Sequence, residues 1–187
     1  QTYVNLTNST VLGQITINPS ASGKVIVSFD GLCISTPGDR IVLAASNTPS
    51  WGISDGSVGV EAYSTDINGN TFSHTRVYDV TPGSRTYYAV AQNYVETSGD
   101  GIASIYGSLT VEYIPASNSI VGFSSVNRTN VNLNSLTTIS SNTINPTVSG
   151  KTIVRFDGSC ISTPGDAIVL AASNTTSWGV NDGNVYV

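Results

Sequence analysis

The sequence predicts an all-β protein made of antiparallel β-sandwich or jelly-roll modules in tandem, the second of them incomplete within these residues. Three observations carry that expectation: a composition poor in charge and rich in small polar residues, turn signals about every ten residues, and a long internal repeat. Only 10% of the 187 residues are charged, against the usual quarter, while Ser, Thr and Asn make up about a third. Such side chains form neutral hydrogen bonds on strand faces and in turns and do not dress the solvated surface of helices. At 39% hydrophobic the chain has material for a core, and no apolar run approaches the roughly 18 residues of a membrane-spanning helix. Twelve acidic against seven basic residues leave a net charge of −5, which repels nucleic acid and anionic lipid, so neither is expected as a partner.

Val25, Val27 and Phe29 alternate with Ile26, Ser28 and Asp30, and Gly31 and Cys33 continue the first parity, predicting a half-buried strand with Cys33 pointing inward. The segment STPGDR then turns, because Pro37 presets φ and Gly38 accepts a positive one. The continuous apolar run IVLAAS from Ile41 suits a central strand, read as pairing with the strand before it. Residues 58–63 and 72–78 flank TDINGNT, where Asn68-Gly69 is a strong hairpin signal. TPGSRT from Thr81 leads into YYAVAQNYV, and TSGDGIA leads into IYGSLTVEYIP, closing the module near Pro115. Seven to nine short strands are expected in these first residues, with no helix.

The order of elements from Thr75 to Pro115, TRVYDVTPGSRTYYAVAQNYVETSGDGIASIYGSLTVEYIP, resembles the last three strands of C1q/TNF-like jelly rolls. In that family an apolar strand passes through a Pro/Gly-type turn into an aromatic-rich strand, a Gly-rich loop and a closing strand ending at Pro. The resemblance covers roughly a third of the first module and implies a recognition or structural head that trimerises. Two departures bear on the trimer: no Gly-X-Y stalk precedes the module, and tandem copies in one chain are atypical of a three-fold head.

The repeat is direct. GKVIVSFDGLCISTPGDRIVLAASNTPSWGISDG from Gly23 returns as GKTIVRFDGSCISTPGDAIVLAASNTTSWGVNDG from Gly150, and residues 4–60 match residues 131–187 without a gap at 38 of 57 positions. The likeness extends over surface-type Ser, Thr and Asn, which points to equivalent modules in an array. Residues 1–115 read as a complete module, 116–130 as a linker carrying Ile120, Val121 and Phe123, and 131–187 as the first half of a second module. Equivalents of Glu61–Pro115 do not follow the second copy within these residues, so its core face and strand edges need cover from elsewhere.

Residues with chemical potential have plainer readings beside their functional ones. Cys33 and Cys160 are equivalent, one per copy, so they cannot bridge within a module and are expected as buried free thiols. His74, the only histidine, has no metal-ligand or triad spacing and reads as a strand-surface residue. DINGN from Asp66 lacks the glycine and closing glutamate positions of a calcium loop, and Asp30, Asp39, Asp157 and Asp166 sit in Gly-containing segments where aspartate braces turns. No metal, cofactor or catalytic residue is expected. Trp51 with Asp55, and Trp178 with Asp182, lie in matching loops where an aromatic ring beside carboxylates suits a glycan or a protein partner; the alternative is a plug at one end of the sandwich. Tyr87, Tyr88, Tyr94, Tyr106 and Tyr113 divide between core and interface in the same way. Asn5, Asn8, Asn127 and Asn174 begin Asn-X-Ser/Thr triplets, candidate glycosylation sites in a host that glycosylates.

Gln1 in place of an initiator Met, the absence of any Met, scarce Lys and duplicated β-modules favour the cell exterior or cell surface. The expected function is a structural or adhesive repeat protein, not an enzyme, forming part of a surface filament or fibre by head-to-tail or strand-complementing contacts with copies of itself. The alternative is a recognition module for surface carbohydrate or protein.

Overall fold

The computed structural model describes residues 3–50, 58–61, 69–95, 102–116, 122, 132, 137–147, 149–150, 152–156, 168–173 and 184–186. The chain divides into two compact units, Gln1–Ser119 with Asp157–Ser159, and Ile120–Phe156 with Cys160–Val187. The described residues are all-β, without a helix.

The first unit holds eight strands: β1 (Tyr3–Asn5), β2 (Thr10–Ile17), β3 (Gly23–Ser35), β4 (Arg40–Ser46), β5 (Val58–Glu61), β6 (Asn70–Val80), β7 (Arg85–Val95) and β8 (Ile102–Pro115). They form two antiparallel four-stranded sheets, ordered β1-β8-β3-β6 and β2-β7-β4-β5. This is a β-sandwich. Strand 1 pairs with 8, 2 with 7, 3 with 6 and 4 with 5, as though one long hairpin with its tip between β4 and β5 had been rolled across two sheets. β1–β4 make its first arm and β5–β8 its second.

Alternation places the core. Val25, Val27, Phe29 and Cys33 on β3 face Ile41, Leu43 and Ala45 on β4 and Tyr87, Ala89 and Ala91 on β7, all buried, with Leu6, Phe72, Val80 and Ala103 filling the margins. Phe29 and Phe72 meet edge to face, ring centroids 4.8 Å apart, and each large side chain buried this way contributes about 1.5–3 kcal/mol. The IVLAAS run is β4, flanked by β5 and β7 and buried from Ile41 to Ser46 on both faces, as its unbroken apolar pattern requires.

Among the described residues the turn at Gly38 and the positive φ of Gly69 and Gly83 fall where turns are expected, but the strand pairing does not follow them. β3 and β4 do not pair: the STPGDR turn, closed by the Asp39 N–H donating to the Thr36 carbonyl at 3.0 Å and by Gly38 at φ 92°, carries the chain from one sheet to the other. β5 and β6 also lie in opposite sheets, so the Asn68-Gly69 signal does not make a hairpin; Gly69 keeps its positive φ of 76°, and β6 pairs with β3 instead. Among the described strands of this unit only β4 and β5 are consecutive partners. Asp30 is also not a turn residue. It lies within β3, where its carboxylate accepts the Ser73 hydroxyl of β6 at 2.5 Å.

In the second unit the described strands are β9 (Val169–Ala171) and β10 (Asn184–Tyr186), paired antiparallel. Val185 lies opposite Leu170 and Tyr186 opposite Val169. In the first copy the equivalent Val58 lies opposite Leu43 and Gly59 opposite Val42, the same register. A second local feature also recurs: the Thr137 hydroxyl donates to the Asn132 carbonyl at 3.1 Å, as Thr10 does to Asn5 at 3.0 Å. By contrast residues 152–156, equivalent to the heart of β3, form no strand, and Ile153, Val154 and Phe156 are 79%, 55% and 45% exposed.

Candidate functional site

Trp51, Asp55, Trp178, Asp182, Asn127 and Asn174 lie outside the described residues, as do Cys160 and the aspartates of the second copy. The stem of the Trp51 loop is described: Ser46 Oγ accepts the Thr48 N–H at 3.0 Å and the Thr48 hydroxyl donates to the Ser50 carbonyl at 2.8 Å, a serine-threonine turn at the end of β4. Asn5 and Asn8 are both exposed, and the Asn5 carboxamide oxygen accepts the Thr7 N–H at 3.0 Å and the Thr7 hydroxyl at 2.8 Å.

His74 is not a surface residue. It is buried on the inward face of β6, and its Nδ1 accepts the Ala45 N–H of the facing sheet at 2.9 Å. From the same strand the Tyr78 hydroxyl donates to the Ala45 carbonyl at 3.3 Å. The cause lies in the sheet: β5 pairs with β4 only as far as Leu43, so beyond it the peptide groups of β4 lack a described strand partner on that side and side chains from the opposite sheet satisfy them. Arg76 stands between these two on the same face, with its Nε buried and unpartnered. The signal was in the alternation, since His74 shares parity with Phe72 and Val80.

Next to this edge an open depression of about 390 Å3 is lined by Asn47, Tyr78, Asp79, Arg85, Tyr87 and Tyr88, among others. Arg85 is tethered to the Thr81 hydroxyl at 2.8 Å, and Asp79 to Lys24 at 2.6 Å. Burial raises the Tyr87 hydroxyl's pKa, with the Arg85 charge pulling the other way, so its phenol stays protonated at neutral pH. With Tyr87 in the core and Tyr78 packed on it, the depression offers mainly the Asn47 amide, the Arg85 guanidinium and the Asp79 carboxylate, groups that suit a small polar ligand. Spacing arguments alone did not bring these residues together, because they come from β6, β7 and the end of β4.

The tyrosines divide as their two-sided chemistry allows. Tyr87 is core, Tyr113 packs against the core while donating to the Ala21 carbonyl at 2.7 Å, and Tyr94 and Tyr106 are exposed. Cys33 is a buried free thiol, pushed up to about 12 by burial, and at neutral pH it supplies no thiolate.

Strand edges are open as well: β2, β5 and β6 each end a sheet, and among the described residues part of β8 is also uncovered. Among the described residues β1 pairs only with Ile102–Ser104 of β8, and no described strand lies beside the rest of that edge as far as Pro115. Unpaired N–H and C=O groups in a row are a template for strand addition. Comparison with known proteins adds no relative: no family model, curated protein or solved structure matches this chain.

Proposed function

We propose that the protein is a structural or adhesive repeat protein of the cell exterior, in which jelly-roll modules follow one another along the polypeptide and join copies of the chain into a surface filament or fibre. The pairing of strand 1 with 8, 2 with 7, 3 with 6 and 4 with 5 supports the jelly-roll reading. The copying of surface-type residues along with core positions supports an array of equivalent modules. Assembly is carried by the edge of β8 from Ile105 to Pro115, beside which no described strand lies and whose main-chain groups are free in geometry to take up a strand from a neighbour. A contact of this kind between unlike surfaces does not close, so it propagates. The mechanism is mechanical and has no catalytic step.

Sedimentation velocity and negative-stain microscopy across a concentration series test this. Elongated oligomers should grow with concentration, and Ser108→Lys, placing a charge on the exposed β8 edge, should suppress them. A wild-type chain that stays monomeric throughout overturns the assembly reading.

The Tyr78–Tyr88 depression, lined also by Asn47 just past β4, favours one second reading, a glycan-recognition module. Selective glycan binding that is lost in Trp51→Ala would replace the structural reading.

A further inference from the structure

The rolled hairpin accounts for which described residues of the second copy form strands. In the first copy β1, β2 and β3 take their partners from β6, β7 and β8, all within residues 70–115, whereas β4 takes β7 on one side and β5, inside the repeated segment, on the other. The second copy repeats residues 4–60, and its described structure contains the β9–β10 pair, both strands of which lie inside the repeated segment, while 152–156 have no described strand partner.

The second copy nevertheless keeps the chemistry of a strand that is covered. Along β3 the inward residues Val27, Phe29, Gly31 and Cys33 recur unchanged as Val154, Phe156, Gly158 and Cys160, and Val25 becomes the similarly shaped Thr152. The two changes of size or charge, Ser28 to Arg155 and Leu32 to Ser159, fall on the outward parity. The glycines are more telling. At Gly23 an added Cβ would collide with the Ile114 carbonyl oxygen and the Tyr113 ring, and at Gly31 with the Tyr106 carbonyl oxygen and Gly107, so β8 is the reason both positions are glycine. Gly150, the equivalent of Gly23, has nothing within 4 Å of the same position. Nothing within 4 Å requires glycine at this position of the second copy.

We infer that residues 131–187 are a first arm, with no described strand partner at 152–156, that docks a polypeptide segment with the strand chemistry of Asn70–Pro115, completing a second module around Val154 and Phe156. This rests on the repeat-module reading above and names its partner. Exchange among copies of these 187 residues cannot supply the segment, because each copy holds two first arms and one second arm, and that second arm is already paired with β1, β2 and β3.

The test mixes the full 187-residue chain with a separately produced polypeptide of residues 61–115 and follows hydrogen exchange at Ile153–Phe156. A 1:1 complex should form, and exchange at these amides should slow by at least ~100-fold. Gly150→Val meets no atom in the chain alone but meets the docked segment's Ile114 carbonyl, so it should weaken binding at least ~tenfold. Because an isolated segment of strands is prone to aggregate, a second measurement joins the same segment covalently after Val187, where the same slowing and the same sensitivity to Gly150→Val are expected. No slowing in either format overturns the inference, as does slowing indifferent to Gly150→Val. Slowing in the unmixed chain that grows with its own concentration also overturns it and makes a second copy the occupant. A chain that remains monomeric yet gains protection from the segment refutes the filament while upholding the docking, so the two readings fail separately.

Discussion

Cys33 sits on the inward parity of β3, 1% exposed, and burial moves its thiol from an ordinary 9.0 to about 12. The unfolded chain therefore releases this proton near pH 9 while the folded chain holds it. Between those values the folded state binds more protons, so the stability is fully present below about pH 9 and is lost as pH rises toward about 12. Urea titrations should show stability falling across that window, by up to ~1.4 kcal/mol per pH unit from this group, and Cys33→Ala should flatten the slope. Tyr87, whose hydroxyl burial also raises, keeps part of the decline in the variant. At this scale parity was a better guide than residue type. It placed Cys33 correctly, and applied to Phe72, His74 and Val80 it would have placed the histidine inside, where chemical habit put it on the surface. The pairing of His74 with Ala45 was beyond reach, because it depends on how far β5 extends along a strand in the other sheet.

For whole strands, alternation and turn residues were legible because both are local. The half-buried pattern of β3, the unbroken apolar run of β4 and the turns at Gly38 and Gly69 follow from side-chain period and from positive φ. Partners were not legible. A turn that folds a strand back beside itself and one that throws it to the facing sheet use the same Pro, Gly and Asn chemistry, so β3–β4 and β5–β6 read as pairs although each crosses the sandwich. What fixes the pairing is close approach at named positions. At Gly31 a Cβ would meet the Tyr106 carbonyl oxygen and the Gly107 Cα, backbone atoms that cannot swing aside. Gly31→Val should therefore destabilise the first unit by more than ~2 kcal/mol, whereas Gly13→Ala on β2, with nothing within 4 Å, should stay within ~0.5 kcal/mol. Chemical denaturation of the two variants checks the contrast. Equal effects would mean that β8 does not lie against β3 as described.

Taken as one molecule, the chain contains its own control: nearly the same strand sequence occurs once paired with β6 and β8 and once with no described strand partner. Val27 and Phe29 are 0% and 3% exposed, while their counterparts Val154 and Phe156 are 55% and 45% exposed. Local preference is nearly identical in the two copies, so the difference is tertiary, and each large side chain left in water forgoes about 1.5–3 kcal/mol. A protease needs an extended segment to enter its cleft, and the cost of presenting one is the free energy of opening it. Residues 152–156 are exposed and have no described strand partner, so cleavage after Arg155 costs little. Cleavage after Arg76 requires β6 to leave β3 along the whole register from Gly23–Val80 to Cys33–Asn70. Brief trypsin digestion followed by mass spectrometry should therefore cut after Arg155 at least ~100-fold faster than after Arg76, an opening difference of about 2.7 kcal/mol. Comparable rates at the two arginines would mean that the second arm does not hold β3 in place, and the contrast between the copies would need another cause.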